Sequence, residues 1–390
     1  MKQFLEKFSI ESTNPNLPGY YEGAKALFAE KGSDILRFEK HSVYTYMKED
    51  IARVRDLIAA DDDSILYAYM MYLAMKADDN DAITALARPN RHLAQEKYDL
   101  LPLFPMLYCI PDQVRTLRKK GVPEDVIADT LNMYEAQVQD FVNIHDHYGI
   151  CEYVDWMMRF VRCDIIRVGR FNLEICPYED EFDIFENNGK IAVLPKGVTF
   201  HRSGQILGNA GCEDTEGSFT AELVETDAYY EGCLIEDCVA KNERVRLDKR
   251  HWKRYITTGD TVICVHIPDG EPLTPETCFR DLARGRKIIH ECFCETKALF
   301  TYTWLLSPQL RDIIGRESNL TAFGKMFRRF PAASDGSAPF DYVFRCPKDT
   351  PLELVPVKNR FAGAVKDFML KGGFIWETQG IILDIPNEEA

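Results

Sequence analysis

No stretch of this 390-residue chain is long and apolar enough to cross a bilayer, which predicts no membrane-spanning helix. Met1 to Ile10 mixes Lys2, Glu6 and Lys7 with apolar residues and lacks the apolar core of an export signal, so a cytoplasmic protein is expected. No basic run offsets the net charge of −15. A nucleic-acid site needs a basic surface to displace counterions, so no nucleic-acid partner is predicted. Paired Cys-x-x-Cys knuckles and internal repeats are also missing. The 12 cysteines therefore read as reduced thiols, with Cys163, Cys264 and Cys278 placed where small buried residues belong.

What the chain does have is 46% hydrophobic residues, enough for a large core in two or three domains. Apolar spacing near 3.6 residues predicts helices over Tyr20 to Ala29, Val43 to Ala59, Ser64 to Lys76 and Glu124 to Phe141. Pro102, Pro105 and Pro111 predict short or bent helices over Tyr98 to Ile110. Tyr153, Trp156, Met157 and Phe160 build one more helix before Gly169. From Phe171 the pattern changes to short β-rich runs at Phe171 to Cys176, Ile191 to Leu194, Val198 to His201, Phe219 to Val224 and Ala228 to Leu234. After Asp260 strands and helices alternate. Thr321 to Phe330 and Asn359 to Lys371 are predicted helices, Tyr342 to Cys346 and Phe374 to Leu383 predicted strands, and Pro386 to Ala390 a disordered tail.

Thr261 to Leu310 reads as one βαβ unit. The β-branched run Thr261-Val262-Ile263-Cys264-Val265-His266-Ile267 is a buried strand that stops at Pro268-Asp269-Gly270. Thr274-Pro275-Glu276-Thr277 then supplies a cap hydroxyl, a proline at the first helical position and an early carboxylate. Leu299 to Leu306 is the second strand. Ligands in open α/β sheets sit beyond carboxyl ends of strands, facing helix N-termini, so a site is expected here.

Asp260 with His266-Ile267-Pro268, then Thr303-Trp304-Leu305-Leu306-Ser307-Pro308-Gln309-Leu310 and Ser318-Asn319-Leu320, resembles the GNAT-like C-terminal domain of a bacterial acyltransferase family. Gly121-Val122-Pro123 and Val168-Gly169-Arg170-Phe171 are similar to the helical N-acyltransferase N-terminal domain that accompanies it. The resemblance implies an α+β chain with a helical N-terminal domain over residues 1–168 and a mixed-sheet GNAT-like domain over 169–390. It implies acyl transfer from an acyl-CoA-like thioester to an amine or hydroxyl of a small molecule. His266 becomes a candidate general base, since imidazole titrates near neutrality. Gly270, Thr274 and Thr277 become the candidate donor site. The family's cysteine before the Trp-Leu-Leu element is replaced by Thr301-Tyr302-Thr303, so no thiol nucleophile carries over there.

The alternatives stay open at this stage. His266 could equally fix a turn structurally. Asp269 and Glu271 oppose a phosphate after that strand, which favours a non-catalytic binding or scaffold protein that keeps the fold without CoA. The acetyltransferase phosphate pattern occurs at Gln205-Ile206-Leu207-Gly208-Asn209-Ala210, but ahead of the presumed central strand. Arg170, Asn172 and Glu174 share a predicted strand face, and Arg170 and Glu174, with Tyr302, are the candidate substrate-binding residues. Arg170 could instead pair with a carboxylate between the halves. His145-Asp146-His147 and His290-Glu291-Cys292-Phe293-Cys294 carry ligand-type side chains without completing a site, so no metal is predicted. Nothing in the sequence sets an oligomeric state.

Overall fold

The computed structural model describes residues 1–8, 10, 13–37, 47–87 and 96–384. The chain folds as two compact units, Met1–Arg167 and Val168–Ala390. The predicted tail and the first residues of the predicted helix from Val43 lie outside the described residues.

The first unit is helical: α1 (Lys2–Lys7), α2 (Leu17–Lys31), α3 (Lys48–Ala59), α4 (Asp62–Lys76), α5 (Asn80–Ala87), α6 (Glu96–Leu100), α7 (Leu103–Lys120), α8 (Glu124–Leu131), α9 (Met133–His145) and α10 (Val154–Val161). α4 is the centre, because Tyr67, Ala68, Tyr69, Met70, Met71 and Ala74 bury it on nearly every side. Asp61 caps it by accepting from Asp63 N, and also holds Lys7 and Lys97, each at 2.9 Å. Glu124 to Phe141 is two helices rather than one, broken at Asn132. Tyr98 to Ile110 divides as expected, with the short α6 ending ahead of Pro102, but α7 then runs on past Pro105 and Pro111. Pro105 falls in the first turn, where the missing N–H costs nothing, while Pro111 is held by burial of Phe104, Leu107, Cys109 and Ile110 around it.

β1 (Ile165–Val168) spans the division, and the second unit carries the other strands: β2 (Phe171–Pro177), β3 (Phe182–Asn187), β4 (Lys190–Pro195), β5 (Val198–Phe200), β6 (Phe219–Ala221), β7 (Val224–Glu225), β8 (Tyr229–Glu236), β9 (Val239–Asp248), β10 (Lys253–Ile256), β11 (Thr261–His266), β12 (Leu299–Thr303), β13 (Arg328–Pro331) and β14 (Thr378–Ile382). The main sheet has six strands in the order β1-β2-β11-β12-β14-β13. The β11/β12 pair is parallel and joined by α11 (Pro275–Cys292), whereas β2/β11 and β12/β14 are antiparallel. The fold is therefore the expected α+β class with a mixed sheet.

Leu173 of β2 packs against α11 at Gly285, where a Cβ would come within 2.1 Å of its Cδ1. Opposite faces of β2 and β11 thus have different roles, since side chains alternate. The predicted strand Tyr342 to Cys346 is instead a tight π-helical turn over Pro339–Phe344 that buries Phe340 and Phe344. The predicted helix Thr321 to Phe330 divides into α13 (Asn319–Lys325), which follows the short α12 (Leu310–Ile314), and β13. α14 (Arg360–Leu370) precedes the last strand.

Candidate functional site

β11 and β12 are paired only at Ile263 with Leu299 and Cys264 with Phe300. At the next step the Val265 carbonyl accepts a hydrogen bond from the Thr301 side-chain hydroxyl at 2.8 Å. Two parallel strands thus part at their carboxyl ends, and His266 is the last residue of one of them.

His266 has a partner that sequence spacing did not reveal. Its Nε2 donates to Glu174 Oε2 at 2.7 Å, a contact with the side chains 28% and 13% exposed. This bond fixes the neutral tautomer whose Nδ1 is the basic nitrogen. The register explains the pairing: Glu174 lies opposite Cys264, and Asn172 opposite His266, on adjacent antiparallel strands. Opposed residues point to one side, so Asn172, Glu174, Cys264 and His266 share the face turned away from α11. Cys176 is the next residue on that face, and the Cys264 thiol hydrogen-bonds to it. That bond holds the Cys176 thiol below its ordinary range against the opposing effect of burial.

The same face continues across β12 and β14. Phe300 pairs with Cys264, and Tyr302 pairs with Gln379. Asn172 Oδ1 and Gln379 Oε1 are both buried without a hydrogen-bond partner among the described residues. A buried carbonyl oxygen left unpaired costs about 1–3 kcal/mol, so these are positions where a donor on a bound molecule would be rewarded. The Tyr302 hydroxyl donates to the Ala333 carbonyl, and burial, with the nearby Glu377, Asp180 and Asp335, pushes it up to about 12. It is a neutral phenol at physiological pH.

Residues 165–382 match the GNAT-like C-terminal domain, and residues 43–163 match the N-acyltransferase N-terminal domain. The chain belongs to the GNAT-like C-terminal domain family. No curated protein matches it significantly. Among solved structures, an acyltransferase in complex with decanoyl-CoA and teicoplanin has a TM-score of 0.58 at 15% identity over 99% of each chain. An acyltransferase in complex with CoA and 10C-teicoplanin has a TM-score of 0.56 at 16% identity over 87% of each chain. At these identities the likeness establishes the fold.

Arg170 lies in the turn before β2 of the GNAT-like domain, outside the face it was expected to share with Glu174. Its Nε donates to the Glu271 carbonyl at 2.7 Å, a second guanidinium N–H donates to the Pro268 carbonyl, and its backbone N–H is held by Asp281 Oδ2 at 2.9 Å. Burial pulls the guanidinium below its ordinary value. It therefore clamps the 268–271 loop within the domain. Gly169 makes that clamp possible, with φ +53° and a would-be Cβ only 2.2 Å from Asp281 Oδ2.

Gly270 sits against the Arg170 guanidinium with φ +154°. Thr274 accepts from Thr277 N at 3.3 Å, and the two hydroxyls bond at 3.1 Å. Pro275 brings no N–H, so this helix start offers an anion less than an uncapped one would. Opposing charge is at hand, because Arg345 pairs with Asp269 at 2.9 Å.

The other motifs are structural. Gln205 donates to the Cys238 carbonyl, and Asn209 bridges Ala332 O and Ser334 N. The amides of Leu207, Gly208, Asn209 and Ala210 are all bonded within the protein. His145 pairs with Glu152, His147 with Asp99, and His290 with Thr296. Gln379, Thr301 and Cys176 were missed from sequence, and Asn172 was placed on the strand face without a role. The signal for Cys176 was the alternation Asn172-x-Glu174-x-Cys176.

Proposed function

We propose that this protein transfers an acyl group from an acyl-CoA-type thioester to an amine or hydroxyl of a small molecule, with His266 as general base. The observation that carries the reading is His266, backed by Glu174, at the point where β11 and β12 part. In this reading the acceptor attacks the thioester carbonyl while His266 takes its proton and Glu174 stabilises the imidazolium that forms. The carbon–sulfur bond then breaks and the CoA thiolate leaves as the thiol, taking up the proton.

Asn172 Oδ1 and Gln379 Oε1 are acceptors suited to the N–H or O–H groups of the incoming molecule. The donor's phosphates are assigned to the Gly270–Thr277 segment, where Arg170 and Arg345 offset Asp269 and Glu271. The related folds were solved with CoA or acyl-CoA, which supports that class of donor.

One observation favours a non-catalytic reading. Thr277 N is taken by the Thr274 hydroxyl, which weakens the anion site at the start of α11. Thermal unfolding with a panel of acyl-CoAs separates the two, because a ligand at a hundredfold its dissociation constant adds about 2.7 kcal/mol. Stabilisation by a thioester, with turnover lost in His266→Ala, supports transfer. A flat panel, free CoA included, sinks it.

A further inference from the structure

We propose that Glu174, Cys264 and His266 form a binding site for a thiophilic divalent cation of the zinc class. The proposal goes beyond acyl transfer, although it draws on two of the same side chains. Donor atoms of Glu174, Cys264 and His266 all lie within 4.8 Å of one another. Cys176, hydrogen-bonded to the Cys264 thiol, sits opposite Val262, too far along the strands from His266 to share the ion.

The backbone explains how three ligands converge without a sequence knuckle. Cys264-Val265-His266 is a ligand-x-ligand run, and Glu174 lies directly opposite Cys264 on the neighbouring antiparallel strand. A strand's period of two puts Cys264 and His266 on one side. The intervening Val265 points the other way. The set is therefore built on two rigid strands of a sheet, which limits how far the ligands can spread.

The chemistry of the donors selects the ion. One thiolate, one imidazole and one carboxylate, with the fourth position left to solvent, suit a borderline-soft, tetrahedral cation and disfavour magnesium or calcium, which take oxygen ligands. Zinc bonds of about 2.0–2.3 Å give donor–donor edges of about 3.3–3.8 Å. The ligand atoms already lie within 4.8 Å of one another, and the 2.7 Å His266–Glu174 contact needs to open by only about 0.6 Å. The cation takes the place of the proton between Nε2 and Oε2, that proton moves to Nδ1 so that the imidazole binds neutral, and the Cys264 thiol loses its own to solvent. A chain with the metal bound cannot use His266 as a base, so occupancy and acyl transfer exclude each other.

The test is a titration of the reduced, chelator-treated full chain with Co(II), read by absorption, followed by displacement with Zn(II). The expected result is one Co(II) per chain, a sulfur-to-cobalt charge-transfer band, and loss of that band on adding Zn(II). Cys264→Ser should weaken binding by at least about tenfold, the loss that even an outer partner's removal causes. Cys294→Ser should leave it unchanged. Native near-UV circular dichroism of each serine variant confirms folding. No sulfur band, or binding that survives Cys264→Ser and falls with Cys294→Ser, overturns the proposal. Since the band is read with no thioester or acceptor present, its failure is distinct from a failure of the transferase reading.

Discussion

At the scale of single residues, the strongest statements concern His266 and Glu174. His266→Ala should lower turnover by about 10²–10⁴-fold, the range for a positioned base, with the unfolding midpoint little changed. Glu174→Gln should keep the packing yet lose the charge that stabilises the imidazolium, cutting kcat with little effect on KM. Steady-state kinetics of both variants decides this. Asp180 offers a test of stability rather than chemistry. Burial raises its carboxyl above the usual range, despite a hydrogen bond from Gln379. A carboxyl raised in the folded state contributes stability below its unfolded value and loses it as pH rises through the folded one. Asp180→Asn should therefore melt higher than the parent at neutral pH, with the gap closing below about pH 4.

Residue identity alone showed His266 at a strand end and Glu174 on a polar strand face. It could not show that they touch, because the contact depends on a register between positions 92 residues apart. Arg170 misled for a related reason. It adjoins a strand with alternating polarity but belongs to the turn before it, where Gly169 at φ +53° redirects the chain. Gly169→Ala should destabilise by at least about 2 kcal/mol, since it adds a left-handed strain to a clash with Asp281. A smaller loss in urea unfolding would mean that α11 yields at that point.

At the scale of elements, periodicity located helices and the βαβ unit but misjudged elements that tertiary burial decides. Pro111 would break an exposed helix, and it survives inside α7 because the surrounding apolar side chains are buried. Tyr342 to Cys346 has strand composition, yet Phe344, with Phe340 just ahead of it, is better buried in a turn against α14 than in a sheet. The N-cap of α4 is the element with the clearest pH signature. Burial would raise the Asp61 carboxyl, but Lys97, Lys7 and Ser64 outweigh it and hold it well below the usual range. A depressed carboxyl contributes stability above its unfolded value and loses it as pH falls through the folded one. Asp61→Asn retains a capping oxygen and loses the charge, so the variant should be less stable above about pH 4, with the deficit shrinking in more acidic solution.

At the scale of the molecule, all 12 cysteines are free thiols, and Cys294 is the exposed one. Burial pushes Cys109 and Cys238 up to about 12 and Cys163 up to about 11, which suppresses their reactive thiolates. A thiol-reactive chromogen should therefore leave Cys109, Cys163 and Cys238 unmodified in the native protein, and reach all 12 thiols only after denaturation. Fast modification of any of those three in the native protein would contradict the burial described.

Thr301 carries a consequence for kinetics. Its hydroxyl satisfies the Val265 carbonyl where a backbone amide would otherwise have zipped β11 to β12. The two strands therefore have no unmet demand to close over an empty opening, and nothing needs to be pried apart before a molecule enters. Association at that opening should be a single step whose observed rate rises linearly with ligand concentration, without the plateau that a slow opening of the sheet would impose. Thr301→Val keeps the shape and removes the hydroxyl, so a plateau found only in that variant would show one side chain setting the order of events.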